Sequence, residues 1–438
     1  MSLTQAVNPL EVCTKEDTAS TRVYEKSGSS AANATRLWHF GIFLASCFVI
    51  ILRRPDMILH AQFYAEDGAI WYATAYNFGW WRVLFSPYEG YLHLLPRLTA
   101  GVALLAPMVY APLIENLVAI AVQTLPVNLL LSPRLERWGT LRFRGVLALL
   151  YLALPNTQEM AGTISESQWF LALSALLLLT ADPAKSLAGR AFDVLLFALC
   201  SLTGPFAICL FPIAVLLWFQ DQKQQRLKVA MAILFSGATV QAAFLLTHHA
   251  GRHYPTLGAN ADSLARILSS QIYLGTLLGG NGLGPHLSLA VAASIAVLAT
   301  AVWTACFVVS SKELRAVVIV AVLLLCASLA RPIVFPPPGV TAWQQLSDVS
   351  GVRYWFFPCL AFAWSLAYGV RSSRKALGVA CWCLLALLPI GLVRDFRYPA
   401  FADLHFADCV RQVEAARTGS TIVIPIRQAG WQAVLIKH

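Results

Sequence analysis

The sequence predicts an all-α polytopic membrane protein with about eleven transmembrane helices, surface helices on the outer side and a small C-terminal cap. Three observations predict it. Hydrophobic residues make up 58% of the 438-residue chain and charged residues 12%, which is more apolar surface than a soluble core can hide. Apolar segments recur along nearly the whole length between residues 37 and 393. The basic residues behind the net charge of +10 fall in short clusters between those segments. That is the positive-inside pattern of cytoplasmic loops, not the basic face of a nucleic-acid binder, so no nucleic-acid partner is expected.

Residues 1–36 are polar and mixed in charge, lack the apolar core of a secretory signal, and read as a disordered cytoplasmic tail. A transmembrane domain follows over 37–393, its first helix leading into an outer loop over 53–92. Arg97 beside Pro96 argues against a full span there, so 92–107 reads as a partly embedded outer helix and 110–131 as the true crossing. Basic clusters at Arg134/Arg137/Arg142/Arg144, Lys185/Arg190, Lys223/Arg226/Lys228, Lys312/Arg315 and Arg371/Arg374/Lys375 are placed in the cytoplasm. Each segment between them then crosses an even number of times. This gives short helix pairs over 145–180 and 191–219, the second turning at Thr203-Gly204-Pro205. Helices of about 13 to 15 residues fall short of the roughly 20 that a lipid-exposed span needs, which points to a thinned bilayer or a cavity among them. Longer helices at 229–247 and 286–310 enclose an outer loop, and those at 316–331, 354–370 and 376–393 leave 332–353 and the C-terminus outside. Residues 394–438 form a small cap, with a helix over 403–417 and a strand over 420–426.

The unusual polar residues collect on the outer side. Tyr64-Ala65-Glu66-Asp67-Gly68 places two adjacent carboxylates just after the first span, where charge is costly unless used. They either cap an interfacial helix rich in Trp71, Trp80 and Trp81, or serve as a general base or metal ligand in an apolar-walled cavity, Asp67 ahead of Glu66. In the hairpin 155–168, Asn156, Glu159, Gln168 and the following Trp169 form a solvated turn or, with Tyr354, combine the amide, carboxylate and ring groups of a sugar site. Arg331 and Arg353 flank the loop Phe335-Pro336-Pro337-Pro338-Gly339 at helix ends, where they anchor the interface or clamp a phosphate; Arg97 and His93 are candidates for the same anion. The run His248-His249-Ala250-Gly251-Arg252-His253-Tyr254 has no acidic neighbour to complete a metal shell, and the ten cysteines show no zinc or disulfide spacing, so no metal site is expected at either, and the sequence requires no cofactor. No dinucleotide or Walker glycine motif is present.

On these residues the chain resembles the C-type (GT-C) glycosyltransferase superfamily, integral membrane enzymes that take sugar from a polyprenyl-phosphate carrier on the outer face. The resemblance rests on the Glu66-Asp67 pair after the first helix, the short paired helices that follow, and a basic residue near the last spans. The segments Gly90-Tyr91-Leu92-His93-Leu94-Leu95-Pro96-Arg97, Ser167-Gln168-Trp169-Phe170, Arg353-Tyr354-Trp355-Phe356 and Ile424-Pro425-Ile426 are similar to a group of uncharacterised bacterial membrane proteins. The resemblance implies inverting-type transfer from a polyprenyl-phosphate-linked sugar to a glycan, lipid or protein acceptor. It implies a bacterial inner-membrane enzyme with a cytoplasmic N-terminus and a periplasmic active face. Asp67 would deprotonate or orient the acceptor hydroxyl, and Glu66 would assist or hold a divalent cation. Arg353, with Arg97 or Arg331, would neutralise the departing lipid phosphate. The rivals are a lipid or polysaccharide transporter, although no inverted repeat is visible, and a non-catalytic scaffold in envelope polysaccharide assembly.

Overall fold

The computed structural model describes residues 16–221, 224–248, 255–280, 282–428 and 430–438. Among the described residues six helices are long and apolar enough to cross a membrane: Thr35–Arg53, Met108–Leu130, Gln225–Thr247, Leu289–Val309, Lys312–Ala330 and Lys375–Asp395. Two of them start where the sequence supplies a cap, Ser288 accepting from the Val291 N–H and Ser311 from the Leu314 N–H. The first helix begins at Glu16, inside the stretch expected to be unstructured. No proline lies between Glu16 and Arg53, and extending an existing helix is easier than nucleating one.

These six are fewer than the eleven crossings expected, and the other apolar segments form shorter helices. Every residue of Ser167–Thr180 is buried, and so is all of Phe356–Gly369 except Tyr368. A helix surrounded by protein need not match the bilayer, which is why these central elements can be short. The segment expected as a partly embedded outer helix forms the helix Leu94–Ala103, which carries Arg97 buried at 3% exposure.

The bundle has two distinct ends. At one, the segments carrying the basic clusters meet: Arg134 pairs with Asp193 at 2.6 Å, Arg137 bridges Asp182 and Asp221, Lys312 also binds Asp221, and Arg371 lies 4.3 Å over the Phe143 ring. Lys223 lies outside the described residues. The helices Leu141–Leu152, Ser167–Thr180, Lys312–Ala330 and Phe356–Gly369 run from this end to the other, where the loops 153–166 and 331–355 gather. Arg53 ties that second end together, donating to the Leu152, Leu154, Asp395 and Phe396 carbonyls.

The C-terminal segment folds onto the first loop. It contains the helix Phe406–Ala415 and an antiparallel pair, Thr421–Pro425 with Gln432–Ile436, the second strand not having been expected. Phe406, Val410, Ile424 and Leu435 pack with Phe63 and Tyr72, and Tyr64 forms a bridge with Arg427. Gly68 permits this contact, since a Cβ there would lie 2.6 Å from that of Phe63. Leu435 is 0% exposed, so Leu435→Ala is expected to destabilise the segment by about 2–5 kcal/mol. Amide exchange across 421–436 should rise while the buried central helices stay protected; unchanged exchange in the strands would contradict this packing.

Candidate functional site

Loops at the second end and the C-terminal segment enclose a cavity of about 830 Å³. Its walls come from Arg54, Tyr64, Glu66, Tyr88 and Glu89 in the first loop, from 158–166, from 333–353, from 399–401, and from Gln428, Gly430 and Trp431. Among the described residues it is lined by the carboxyl groups Glu66, Glu89, Glu159 and Glu166 and by only two guanidiniums, Arg54 and Arg353.

The acidic pair divides its labour. Asp67 is 1% exposed and accepts from the Ile164 N–H (3.2 Å), the Ser165 N–H (3.1 Å) and the Ser165 hydroxyl (2.5 Å). The Trp71 indole N–H also binds Ser165 Oγ at 2.8 Å. Asp67 therefore straps the 155–168 hairpin to the first loop and does not line the cavity, while Glu66 does. Side chains of consecutive residues at a helix start diverge by about 100°, so one carboxylate faces inward and its neighbour outward. Burial, reinforced by Glu66, pushes the Asp67 carboxyl up to about 7 against the pull of the Ser165 and Ile164 bonds. Burial raises Glu66 as well, with Arg353 opposing it.

Arg353 is already engaged. Its Nη1 lies 2.5 Å from Glu159 Oε1 and 3.5 Å from Glu166, and its backbone N–H donates to Glu159 Oε2 at 2.8 Å. Burial works against its charge, but Glu159, Glu166 and Glu66 outweigh that and hold it firmly protonated. Glu166 is pushed up to about 8 by burial and by Glu159, Glu66 and Asp67, again with Arg353 opposing.

Arg54 is the reverse case. It is 5% exposed, its guanidinium sits 4.1 Å from the Phe401 ring centroid and 5.1 Å from that of Tyr398, and its Nε has no hydrogen-bond partner. Its side chain makes no ion pair within 4.0 Å among the described residues. Burial lowers its proton affinity, with Tyr398 and Asp56 acting the other way, and an arginine remains charged under such pressure.

The remaining expected residues fall into three groups. Glu159 lines the cavity, whereas Gln168 and His93 border a smaller chamber beside it. Asn156 is a strut, donating to the Gln271 carbonyl at 2.7 Å and accepting from the Gly351 N–H at 2.5 Å from a left-handed backbone (φ 57°) that asparagine tolerates. Tyr354 holds the Ile333 backbone, Trp169 packs on Phe206, and Arg97 stacks 5.1 Å from the Trp71 ring and donates to Thr74. Neither Arg97 nor the exposed Arg331 lines the cavity. Of the histidine run, residues 249–254 lie outside the described residues.

Sequence reasoning missed Arg54. A signal was present: Arg53-Arg54 stands at the end of the first span opposite to the five basic clusters, against the positive-inside bias. It also missed Glu115, which is 0% exposed inside the Met108–Leu130 span with neither carboxyl oxygen partnered.

Raised carboxyl affinities have a thermodynamic consequence. The folded protein holds protons on Asp67 and Glu166 that the unfolded chain releases above the ordinary carboxylate range. Their stabilising contribution is therefore full below about pH 4 and lost as pH rises through about 7 and 8. Thermal unfolding in nanodiscs should shift down between about pH 5 and pH 9, and Glu166→Gln should flatten that slope. A slope of opposite sign, or one unchanged by Glu166→Gln, would contradict the assignment. The chain matches no protein-family model, and a search of curated proteins returned no match.

Proposed function

We propose that this protein is a periplasm-facing glycosyltransferase of the bacterial inner membrane, moving a sugar from a polyprenyl-phosphate donor to a glycan, lipid or protein acceptor. The observation that carries this is Arg54, a buried arginine whose Nε has no hydrogen-bond partner, lining the same cavity as the Glu66 carboxyl group. A volume of about 830 Å³ suits a small-molecule head group. The basic clusters meet at the far end of the bundle, which favours a cytoplasmic location there, with the short central helices completing about eleven crossings.

The chemistry assigns roles differently from the expectation that placed Asp67 and Arg353 first. Glu66 takes the proton of the acceptor hydroxyl. The freed oxygen attacks the anomeric carbon, the bond from that carbon to the phosphate oxygen breaks, and the electron pair leaves on the phosphate. A single displacement of this kind inverts the anomeric centre. Charge grows on the phosphate as the bond breaks, so the preorganised Arg54 stabilises the transition state more than the ground state. Asp67 positions the hairpin behind Glu66, and Arg353 holds Glu159 and Glu166 in place.

The test is transfer from a labelled polyprenyl-phosphate sugar by purified protein in nanodiscs. Glu66→Gln should lower the rate by about 10²- to 10⁴-fold with little change in thermal stability. Asp67→Asn should lower stability and leave a larger residual rate per folded molecule. Full activity in Glu66→Gln, or no transfer from any such donor by the unaltered protein, would end this assignment.

One observation favours the transport reading. Glu115, unpartnered inside a span and close enough to Asp67 for their charges to interact, has the character of an intramembrane proton site. Lipid-dependent proton flux in proteoliposomes that disappears in Glu115→Gln would establish transport in place of transfer.

A further inference from the structure

We infer that the cavity is extended by a specificity chamber built for the hydroxymethyl group of a neutral sugar ring, an inference that rests on the sugar-transfer reading and deepens it. The chamber measures about 30 Å³ and adjoins the large cavity, sharing Glu66, Glu166 and Arg353 with it. A water-sized atom needs about 10–15 Å³ of such space, so the chamber holds about two non-hydrogen atoms. A carbon and its hydroxyl fit; an acetamido or phosphate group does not.

Its polar groups are buried and unsatisfied. His93 is 3% exposed and Gln168 7%, and neither imidazole nitrogen nor Gln168 Oε1 has a hydrogen-bond partner of ordinary geometry. Glu166 Oε2 is unpartnered too, at 5% exposure for the residue. Buried polar atoms left without partners are destabilising, which a bound group that pairs with them would relieve. A neutral imidazole offers one donor and one acceptor, the amide oxygen accepts, and a protonated carboxyl donates or accepts. That mixture matches a hydroxyl, which does both.

The surrounding charges reject ions of either sign. Burial and the nearby Arg97 and Arg353 push the His93 imidazole down to about 3, and the same positive field opposes an ammonium group. Glu66 on the wall opposes a carboxylate. The Trp71 and Tyr91 rings, 4.6 and 4.4 Å from that of His93, give the chamber apolar sides against which the CH₂ carbon packs.

The experiment is calorimetric titration of the full chain in nanodiscs with octyl glycosides. The series comprises the glucoside, galactoside and mannoside, together with the 6-deoxy, 6-amino-6-deoxy and uronate counterpart of each. At least one neutral hexoside should bind saturably, its 6-deoxy counterpart at least about tenfold more weakly, and the charged counterparts more weakly still. Gln168→Leu should abolish the difference between the hexoside and its 6-deoxy form while leaving binding of the latter unchanged. A 6-deoxy, amino or uronate probe that binds as well as the hexoside overturns the chamber and leaves sugar transfer standing. Failure of every glycoside to bind overturns both. Because the ligand series is run on the unaltered protein, it decides the matter even where Gln168→Leu fails to fold.

Discussion

The charge balance of one cavity organises the second end of this bundle. Carboxyl groups outnumber guanidiniums there, and the apolar frame behind them makes any unpaired charge expensive. Proton uptake on Glu166 relieves part of the excess, and the pairing of Arg353 with Glu159 relieves more. These two devices also set geometry, because the Arg353 pair joins the 158–166 and 333–353 walls across 194 residues of chain. What remains is a single guanidinium, Arg54, held by two rings instead of by an acid. A cation kept in that condition is preorganised for a ligand anion, since binding need not first break an ion pair.

Part of this was legible in the sequence. Composition and the clustered basic residues announced a polytopic helical protein, and the structure draws those clusters to one end. Glu66-Asp67 stood out because adjacent acids beside a span are rare and costly. Which of the two faces the cavity was not legible, since it depends on the rotation of the Asp67–Tyr72 helical turn and on the Ser165 backbone nearly a hundred residues away. Arg353 was found by its place at a helix end, but its partners are distant acids that no local pattern reveals. Arg54 and Glu115 were hidden for the same reason: an arginine beside a span reads as an anchor, and a lone glutamate in an apolar helix reads as tolerable, until burial and missing partners are known.

The C-terminal segment shows how packing turns a peripheral element into part of the site. Its helix and paired strands are marginal by themselves, yet they bury Phe406, Val410, Ile424 and Leu435 against the first loop. That contact brings Phe401 over Arg54 and Trp431 to the cavity wall. Arg427 completes the seam, donating to the His60 carbonyl at 2.8 Å and reaching Asp56 at 3.4 Å. The Arg54 side of the cavity therefore exists only when the tail is docked.

The most direct measurement is an experimental structure of the protein in nanodiscs with a polyprenyl phosphate bound. The phosphate should lie within hydrogen-bond distance of the Arg54 guanidinium, beside the Tyr398 and Phe401 rings, with the Arg353–Glu159 pair intact. A phosphate seated on Arg353 with Glu159 displaced, or on Arg97 or Arg331 with Arg54 untouched, would contradict the assignment of Arg54 as the available cation of the cavity.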